Sequence, residues 1–161
     1  MTTEARDSDS DNSATAIAEH IQIRKILVPI DGSEFSLDAA KYAIKIANYE
    51  NAQIICIHVL TKTVLEYAWT PESREDIKTK VESWFNTIKG IAKTSAIPEI
   101  KTKIFMDVKS VVECIIDYAT TENIDLIVIG TRGRTGLKKF MMGSVANDVA
   151  RHAHCPILLV R

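Results

Sequence analysis

The chain has 161 residues, of which 46% are hydrophobic and 25% are charged, and its formal net charge is −1. This length and balance predict one folded domain, and the near-neutral charge excludes a protein that coats nucleic acid, because such a protein carries a basic stripe over the whole domain. No apolar run approaches the roughly 20 residues that span a bilayer. The first residues also lack the basic start and apolar core of a secretion signal, so we expect a cytoplasmic protein with no membrane partner.

The first 22 residues differ in composition from the rest of the chain. They hold five acidic side chains against the single basic residue Arg6, and most of the others are Ser, Thr and Ala. Such a segment cannot bury enough apolar surface to fold. We therefore predict a disordered acidic tail over residues 1–22 and a folded domain over residues 23–161.

The folded domain begins with a strand, a helix and a second strand. The apolar run from Lys25 to Ile30 ends in the turn sequence Asp-Gly-Ser, which predicts a buried strand entering a turn. Apolar residues then recur at helical spacing from Leu37 to Ala47, with Ser33 or Ser36 available as the N-cap. A second strand is predicted from Gln53 to Val59.

The middle of the chain holds a longer connection and two further helices. The connection from Thr61 to Thr70 is either a lid, a partner surface or a loop packed on the domain, and the last is favoured. A long helix is predicted to begin near Pro71. The third strand is predicted from Lys101 to Met106, and Asp107 is expected to cap a helix with an apolar stripe from Val108 to Ala119.

The last third adds a strand from Asp125 to Ile129, a glycine-rich loop, a short helix and a strand from Pro156 to Val160. Five strands separated by helices predict an α/β fold with a doubly wound, mostly parallel sheet covered on both faces. In such sheets ligands bind beyond the carboxyl ends of the strands, where the strand order reverses. Pairing of the first and fourth strands would bring Asp31 beside the glycine loop.

The glycine loop has the pattern G-x2-G-x9-G-S, formed by Gly130, Gly133, Gly143 and Ser144. A phosphate chain needs backbone N–H groups without side-chain obstruction, and the following helix supplies unpaired donors and a favourable dipole. The alternative is that the glycines permit positive φ and that the serine is a simple N-cap. Asp31 likewise either accepts hydrogen bonds from a ribose and helps to hold a metal ion, or caps the nearby helix. Four basic residues give the loop a positive charge that would attract a polyphosphate: Arg132, Arg134, Lys138 and Lys139.

Three segments match the pattern of a known family: Lys25 to Ser33, the tripeptide Ile57-His58-Val59, and Asp125 to Arg161. In them the chain resembles the universal stress proteins, and its uninterrupted glycine signature is similar to that of the nucleotide-binding branch. The resemblance implies an adenine nucleotide alpha hydrolase-like fold with five parallel strands in the order 3-2-1-4-5. It also implies a stress-response regulatory protein that binds ATP or AMP, with magnesium as the expected companion ion of the nucleotide.

The resemblance assigns roles to individual residues. Asp31 would touch the ribose and the metal-bound phosphates, the backbone of Val59 would meet adenine, and the glycine loop would surround the phosphates. The implied nucleotide-binding residues are Pro29, Ile30, Asp31, Val59, Ile129, Gly130, Arg132, Gly133, Gly143, Ser144 and Val145. It also implies a homodimer joined through Pro156 to Arg161, and the residues agree, because an apolar terminal edge strand would otherwise be prone to aggregate.

Catalysis is not indicated by any motif. The G-x-S-x-G elbow of hydrolases and the lysine-bearing P-loop are both absent, so no nucleophile or phosphate lysine is assigned. The favoured hypothesis is a nucleotide-dependent regulatory module read by a protein partner. The alternatives are a slow Mg-dependent ATPase, in which Asp31 or Ser144 orients water, and a scaffold that binds no nucleotide.

Cysteine and histidine chemistry is also not expected. Cys56, Cys114 and Cys155 are odd in number and unpaired in spacing, which predicts reduced core thiols. His152, His154 and Cys155 could ligate a metal, but alternate residues at a helix end point in different directions and no fourth ligand is evident. No protein metal site is therefore predicted.

Overall fold

The computed structural model describes residues 22–67, 70–95, 100–133 and 142–161. The tail predicted over residues 1–22 lies outside this part of the chain except for Gln22. The strands are β1 (Lys25–Pro29), β2 (Gln53–Thr61), β3 (Ile100–Val108), β4 (Leu126–Gly130) and β5 (Ile157–Val160). The helices are α1 (Glu34–Glu50), α2 (Lys62–Tyr67), α3 (Pro71–Lys93), α4 (Val111–Thr121) and α5 (Ser144–His152).

All four strand pairings are parallel, and the strand order is β3-β2-β1-β4-β5. The predicted doubly wound sheet and the predicted pairing of the first and fourth strands are confirmed. The strands β2 and β3 lie on one side of β1 in the sheet, and β4 and β5 lie on its other side. The strand order therefore reverses between β1 and β4.

The apolar core lies on both faces of the sheet, because successive residues of a strand point to opposite faces. In β1, Ile26 and Val28 pack in one cluster with residues of α1 and α3. Leu27 packs in the other cluster with residues of α4 and α5. Because helices cover both faces of the sheet, the strand sequences are continuous apolar runs and do not alternate between apolar and polar residues.

The helix starts show where local sequence signals were interpreted correctly. Ser33 is the N-cap of α1, and its Oγ accepts a hydrogen bond from the Ser36 N–H at 3.2 Å. The helix α3 begins at Pro71 as predicted, with Thr70 as its cap.

The predicted cap at Asp107 is wrong. β3 extends to Val108, which pairs with Thr61 of β2, so Asp107 is still part of the strand. The cap of α4 is Ser110, whose Oγ accepts from the Glu113 N–H at 3.2 Å. Pairing with β2 prolongs the strand, and the helix can begin only after it.

The connection after β2 contains the short helix α2, which the sequence did not predict. Leu65 of this helix is only 2% exposed, and the helix packs beside β2 and β3. This part of the connection is therefore packed on the domain, in agreement with the favoured interpretation. Residues 68 and 69 lie outside the described residues.

The three cysteines have different environments. All three are free thiols, as predicted. Cys56 is buried in the core and the partly buried Cys155 packs against the core, whereas the prediction of a core thiol is wrong for the partly buried Cys114. Burial raises the pKa of the Cys56 thiol to about 12. A thiol that stays protonated is a poor nucleophile, which fits a packing role.

None of the described helices has the length and apolar character needed to cross a membrane.

Candidate functional site

A cavity of about 430 Å³ lies where the strand order reverses. It is lined by the carboxyl ends of β1, β2 and β4, by the N-terminal parts of α4 and α5, by one residue of α1 and by one residue of α2. This is the position at which open parallel sheets bind ligands. The topology therefore singles out this cavity as the candidate site.

All eleven nucleotide-binding residues that the resemblance implies line this cavity. β1 and the residues after it bring Pro29, Ile30 and Asp31, and β2 brings Val59. The remainder come from the end of β4, the glycine loop and the start of α5: Ile129, Gly130, Arg132, Gly133, Gly143, Ser144 and Val145. Arg134, Lys138 and Lys139 lie outside the described residues.

Asp31 supports the start of α1 and also reaches the glycine loop. Its Oδ1 accepts hydrogen bonds from the N–H and the Oγ of Ser33, at 2.9 Å and 2.6 Å. Because Ser33 is the cap, the alternative in which Asp31 itself caps the helix is wrong. A methyl group placed on Gly133 would lie 2.7 Å from the Asp31 Oδ2. The carboxylate and the loop, about one hundred residues apart in the chain, thus face each other directly.

Thr131 joins the two ends of the glycine loop. Its N–H donates to the carbonyl of Val160 at 2.7 Å, and its carbonyl accepts from the N–H of Gly143 at 2.7 Å. A Cβ on Gly143 would lie 3.3 Å from that carbonyl oxygen and 3.8 Å from the nitrogen of Gly133. The end of β4 and the start of α5 are therefore held together at backbone contact distance.

The glycines of the loop serve close approach rather than positive φ. Among the glycines that the structure describes, only Gly32 has a positive φ, of 79°. A Cβ on Gly130 would lie 2.7 Å from the backbone carbonyl of Phe35 in α1, so a side chain has no room there. The alternative interpretation, in which the loop glycines permit left-handed turns, is wrong for Gly130, Gly133 and Gly143.

The first turn of α5 forms part of the cavity wall. Gly143 is the N-cap and no side chain caps the helix, so the alternative in which Ser144 is the cap is wrong. The N–H groups in a first helical turn have no partner within the helix. Those of Ser144, Val145 and Ala146 belong to residues that line the cavity. Together with the helix dipole, they form a site that favours an anion.

Arg132 adds positive charge to the wall of the cavity. Its guanidinium carbon lies 5.3 Å from the centre of the Phe35 ring, a cation–π distance. The Ser33 Oγ approaches its carbonyl oxygen at 3.5 Å. The stacking fixes the charged group on α1, at the edge of the cavity.

Part of the cavity wall is apolar. This part includes Val59 of β2, Val64 of α2, Val111 and Ile115 of α4, and Ile129 of β4. Such a surface suits the flat, uncharged part of a ligand. Sequence reasoning missed Val64, Val111 and Ile115, as well as His58 and Thr131. His58 and Thr131 carried a signal, because each lies in one of the family-like segments.

A metal ion could be held here only with help from a ligand. Asp31 is the one carboxylate among the described residues of the cavity wall, and no cluster of three or more His, Cys, Asp or Glu side chains occurs within residues 22–67, 70–95, 100–133 and 142–161. Magnesium commonly binds through one or two carboxylates and the phosphates of a substrate. His152, considered above as a metal ligand, places its Nδ1 2.8 Å from the carbonyl oxygen of Asp148.

Comparison with known proteins identifies the family. A family model described as the universal stress protein family matches residues 22–161. The chain belongs to the universal stress protein family. Its fold is the adenine nucleotide alpha hydrolase-like fold, as the resemblance implied.

Three similar proteins illustrate the relationship. Universal stress protein MJ0531 of Methanocaldococcus jannaschii is 36% identical over 143 residues, which cover 86% of this chain and 82% of that protein. The structure of universal stress protein UspA from Lactobacillus plantarum is 26% identical with a TM-score of 0.67 and covers 87% of this chain and 99% of that one. A universal stress protein from Archaeoglobus fulgidus, solved in complex with dAMP, has a TM-score of 0.63 at 20% identity and covers 88% of this chain and 99% of that one.

Proposed function

We propose that this universal stress protein binds an adenine nucleotide in the cavity between β1 and β4. The observation that carries the proposal is the presence of three chemically different parts in one cavity: the first-turn donors of α5, the Asp31 carboxylate and the apolar side chains of the wall. Their chemistry suits phosphate, ribose and base in turn. The A. fulgidus structural neighbour, solved with dAMP, supports this assignment.

The donor set suits the phosphates. Ser144, Val145 and Ala146 offer backbone N–H groups at the start of α5, and Arg132 adds a positive charge nearby. Charge-assisted hydrogen bonds from such donors to phosphate oxygens are among the strong ones in proteins. The carboxylate of Asp31 accepts hydrogen bonds, and ribose hydroxyls donate them. We propose ATP as the physiological ligand, and Asp31 would help to hold the magnesium ion that accompanies it.

The proposed role is regulatory rather than catalytic. A nucleotide that contacts both the end of β4 and the start of α5 would stabilise the backbone bridge from Thr131 to Gly143 and, through Val160, the end of β5. A ligand can shift a conformational equilibrium only by binding its states unequally, and these contacts offer such a difference. We propose a cytoplasmic stress-response module whose nucleotide-bound form is recognised by a protein partner.

Titration calorimetry tests the proposal and identifies the ligand. Purified protein, freed of copurifying small molecules, is titrated with AMP, ADP and ATP, the last with and without MgCl₂, and with GTP and cyclic AMP as comparisons. We expect saturable heat with the adenine nucleotides, tightest for ATP with magnesium. No heat with any adenine nucleotide would contradict the proposed nucleotide binding. Tighter binding of AMP than of ATP would contradict only the assignment of ATP as the ligand. Chromatography of the recovered nucleotide reports whether ATP is hydrolysed.

We also propose that β5 pairs with β5 of a second copy. The two edges of the sheet differ: β3 carries the exposed residues Lys101 and Lys103, whereas β5 exposes Leu159, at 39% of its surface, beside Ile157 and Leu158. Charged side chains on an edge strand disfavour pairing with another strand, whereas an apolar edge strand favours it.

Sedimentation velocity tests the dimer with a matched pair of variants. We expect the wild type to sediment as a dimer and Leu159→Glu as a monomer. Met106→Glu places the same charge at an equally exposed apolar residue of the opposite edge strand, so it should remain a dimer. A monomeric wild type, or a dimer lost equally in both variants, would exclude β5 as the interface.

A further inference from the structure

His58 lies beside the candidate site, but it was not among the predicted ligand-binding residues. It is 7% exposed on β2 and lines the cavity. Its Nδ1 lies 2.5 Å from the carbonyl oxygen of Ile30. A carbonyl oxygen only accepts, so the Nδ1–H donates, whichever charge the ring carries. The ring also meets Trp84 of α3 edge to face, with centroids 5.5 Å apart.

This hydrogen bond holds the peptide that leads into Asp31. The N–H of Ile30 donates to the carbonyl of Ile57 at 2.8 Å and is the last ladder bond of β1 with β2. The carbonyl of Ile30 lies beyond the end of β1, and it accepts its hydrogen bond from the side chain of His58. The next N–H, that of Asp31, approaches the Ser36 Oγ at 3.4 Å. Because Ile30 is buried, its carbonyl needs a partner from the protein.

We propose that His58 is a positioning residue that fixes the direction of the Asp31 carboxylate. The orientation of the Ile30 carbonyl sets the peptide plane before Asp31, and this plane together with the φ of Asp31 determines where the Cα–Cβ bond points. In the observed orientation Asp31 meets both Ser33 and Gly133. Loss of the donor would let the peptide rotate and would leave a buried carbonyl unpaired. The inference deepens the proposed function, because Asp31 is its proposed ribose and metal contact.

Two amide variants separate the hydrogen bond from the bulk of the ring. In His58→Asn the amide nitrogen is bonded to Cγ, as Nδ1 is, so it can donate to the Ile30 carbonyl from the same place. In His58→Gln the amide nitrogen lies one carbon further from the backbone. The asparagine variant should therefore preserve the direction of Asp31, and the glutamine variant should not.

The first readout needs no ligand. The amide resonances of Ser33 and Gly133 in ¹⁵N–¹H spectra of the full chain report the position of the Asp31 carboxylate, since one donates to it and the other faces it. We expect both resonances to shift in His58→Gln and in Asp31→Ala, and to stay near their wild-type positions in His58→Asn. Unchanged resonances in a folded His58→Gln would overturn the proposal, even if the protein binds nucleotide.

The second readout is a double-mutant cycle on AMP affinity, with Asp31→Ala as the partner variant. If His58 acts through Asp31, His58→Gln should lower affinity about tenfold, which is about 1.4 kcal/mol, and should add almost nothing in the Asp31→Ala background. Full additivity would mean that His58 contacts the ligand itself and would overturn the positioning role. If His58→Gln does not fold, the His58→Asn variant tests the proposal. Shifted amide resonances of Ser33 and Gly133 in His58→Asn would overturn the positioning role. A wild type that binds no AMP would contradict the proposed function, while the amide resonances still test His58.

Discussion

Replacement of Gly130 by alanine is expected to lower the free energy of unfolding by about 3 kcal/mol. Gly130 is the last residue of β4, and a Cβ there would lie 2.7 Å from both the carbonyl carbon and the carbonyl oxygen of Phe35. A flexible side chain could move aside, but the backbone of α1 is fixed by its packing on the sheet. The strand and the helix would have to separate, and the core between them would lose contacts.

Urea unfolding monitored by circular dichroism measures this change. Gly90→Ala is the matched control, because a Cβ at this glycine of α3 meets nothing within 4 Å. In a helix interior alanine is more favourable than glycine by up to about 1 kcal/mol, so the control should be more stable than the wild type. Equal stability of Gly130→Ala and the wild type would show that β4 and α1 are less closely packed than the structure indicates.

Replacement of Gly143 by aspartate is expected to weaken nucleotide binding about 100-fold, or about 2.7 kcal/mol. Gly143 is the N-cap of α5, where an aspartate carboxylate accepts the hydrogen bonds of the first helical turn. It would occupy the donors that the phosphates need and would repel their charge. The same capping bonds favour the helix, so the folded structure should survive although the Cβ lies close to the Thr131 carbonyl.

Calorimetry with AMP and ATP measures the loss, and two variants identify its cause. Gly143→Ala introduces the same Cβ without charge and should retain most of the affinity. Gly90→Asp adds the same charge on α3, where there is space, and should bind as the wild type does. Undiminished binding by Gly143→Asp would place the phosphates elsewhere and would contradict the proposed site.

The fold was largely predictable because its signals are local. Continuous apolar strands alternating with amphipathic helices require a parallel sheet covered on both faces, and the structure has this sheet. The cap at Ser33, one of two candidates, and the helix start at Pro71 could be predicted for the same reason, since a helix start involves only neighbouring residues. The cap at Ser110 was missed because pairing with β2 prolongs β3 through Asp107, and strand pairing is not a local property.

The glycine signature and the turn after β1 were determined by the sequence alone, and both line the same cavity. Only the tertiary structure decided how they meet: Asp31 faces Gly133, Thr131 bridges to Gly143, and His58 holds the carbonyl before Asp31. Only the structure placed Val64 in the apolar wall. Periodicity and turn residues record which face of an element is buried, whereas a contact between distant segments depends on strand register and helix packing, which no short stretch of sequence contains.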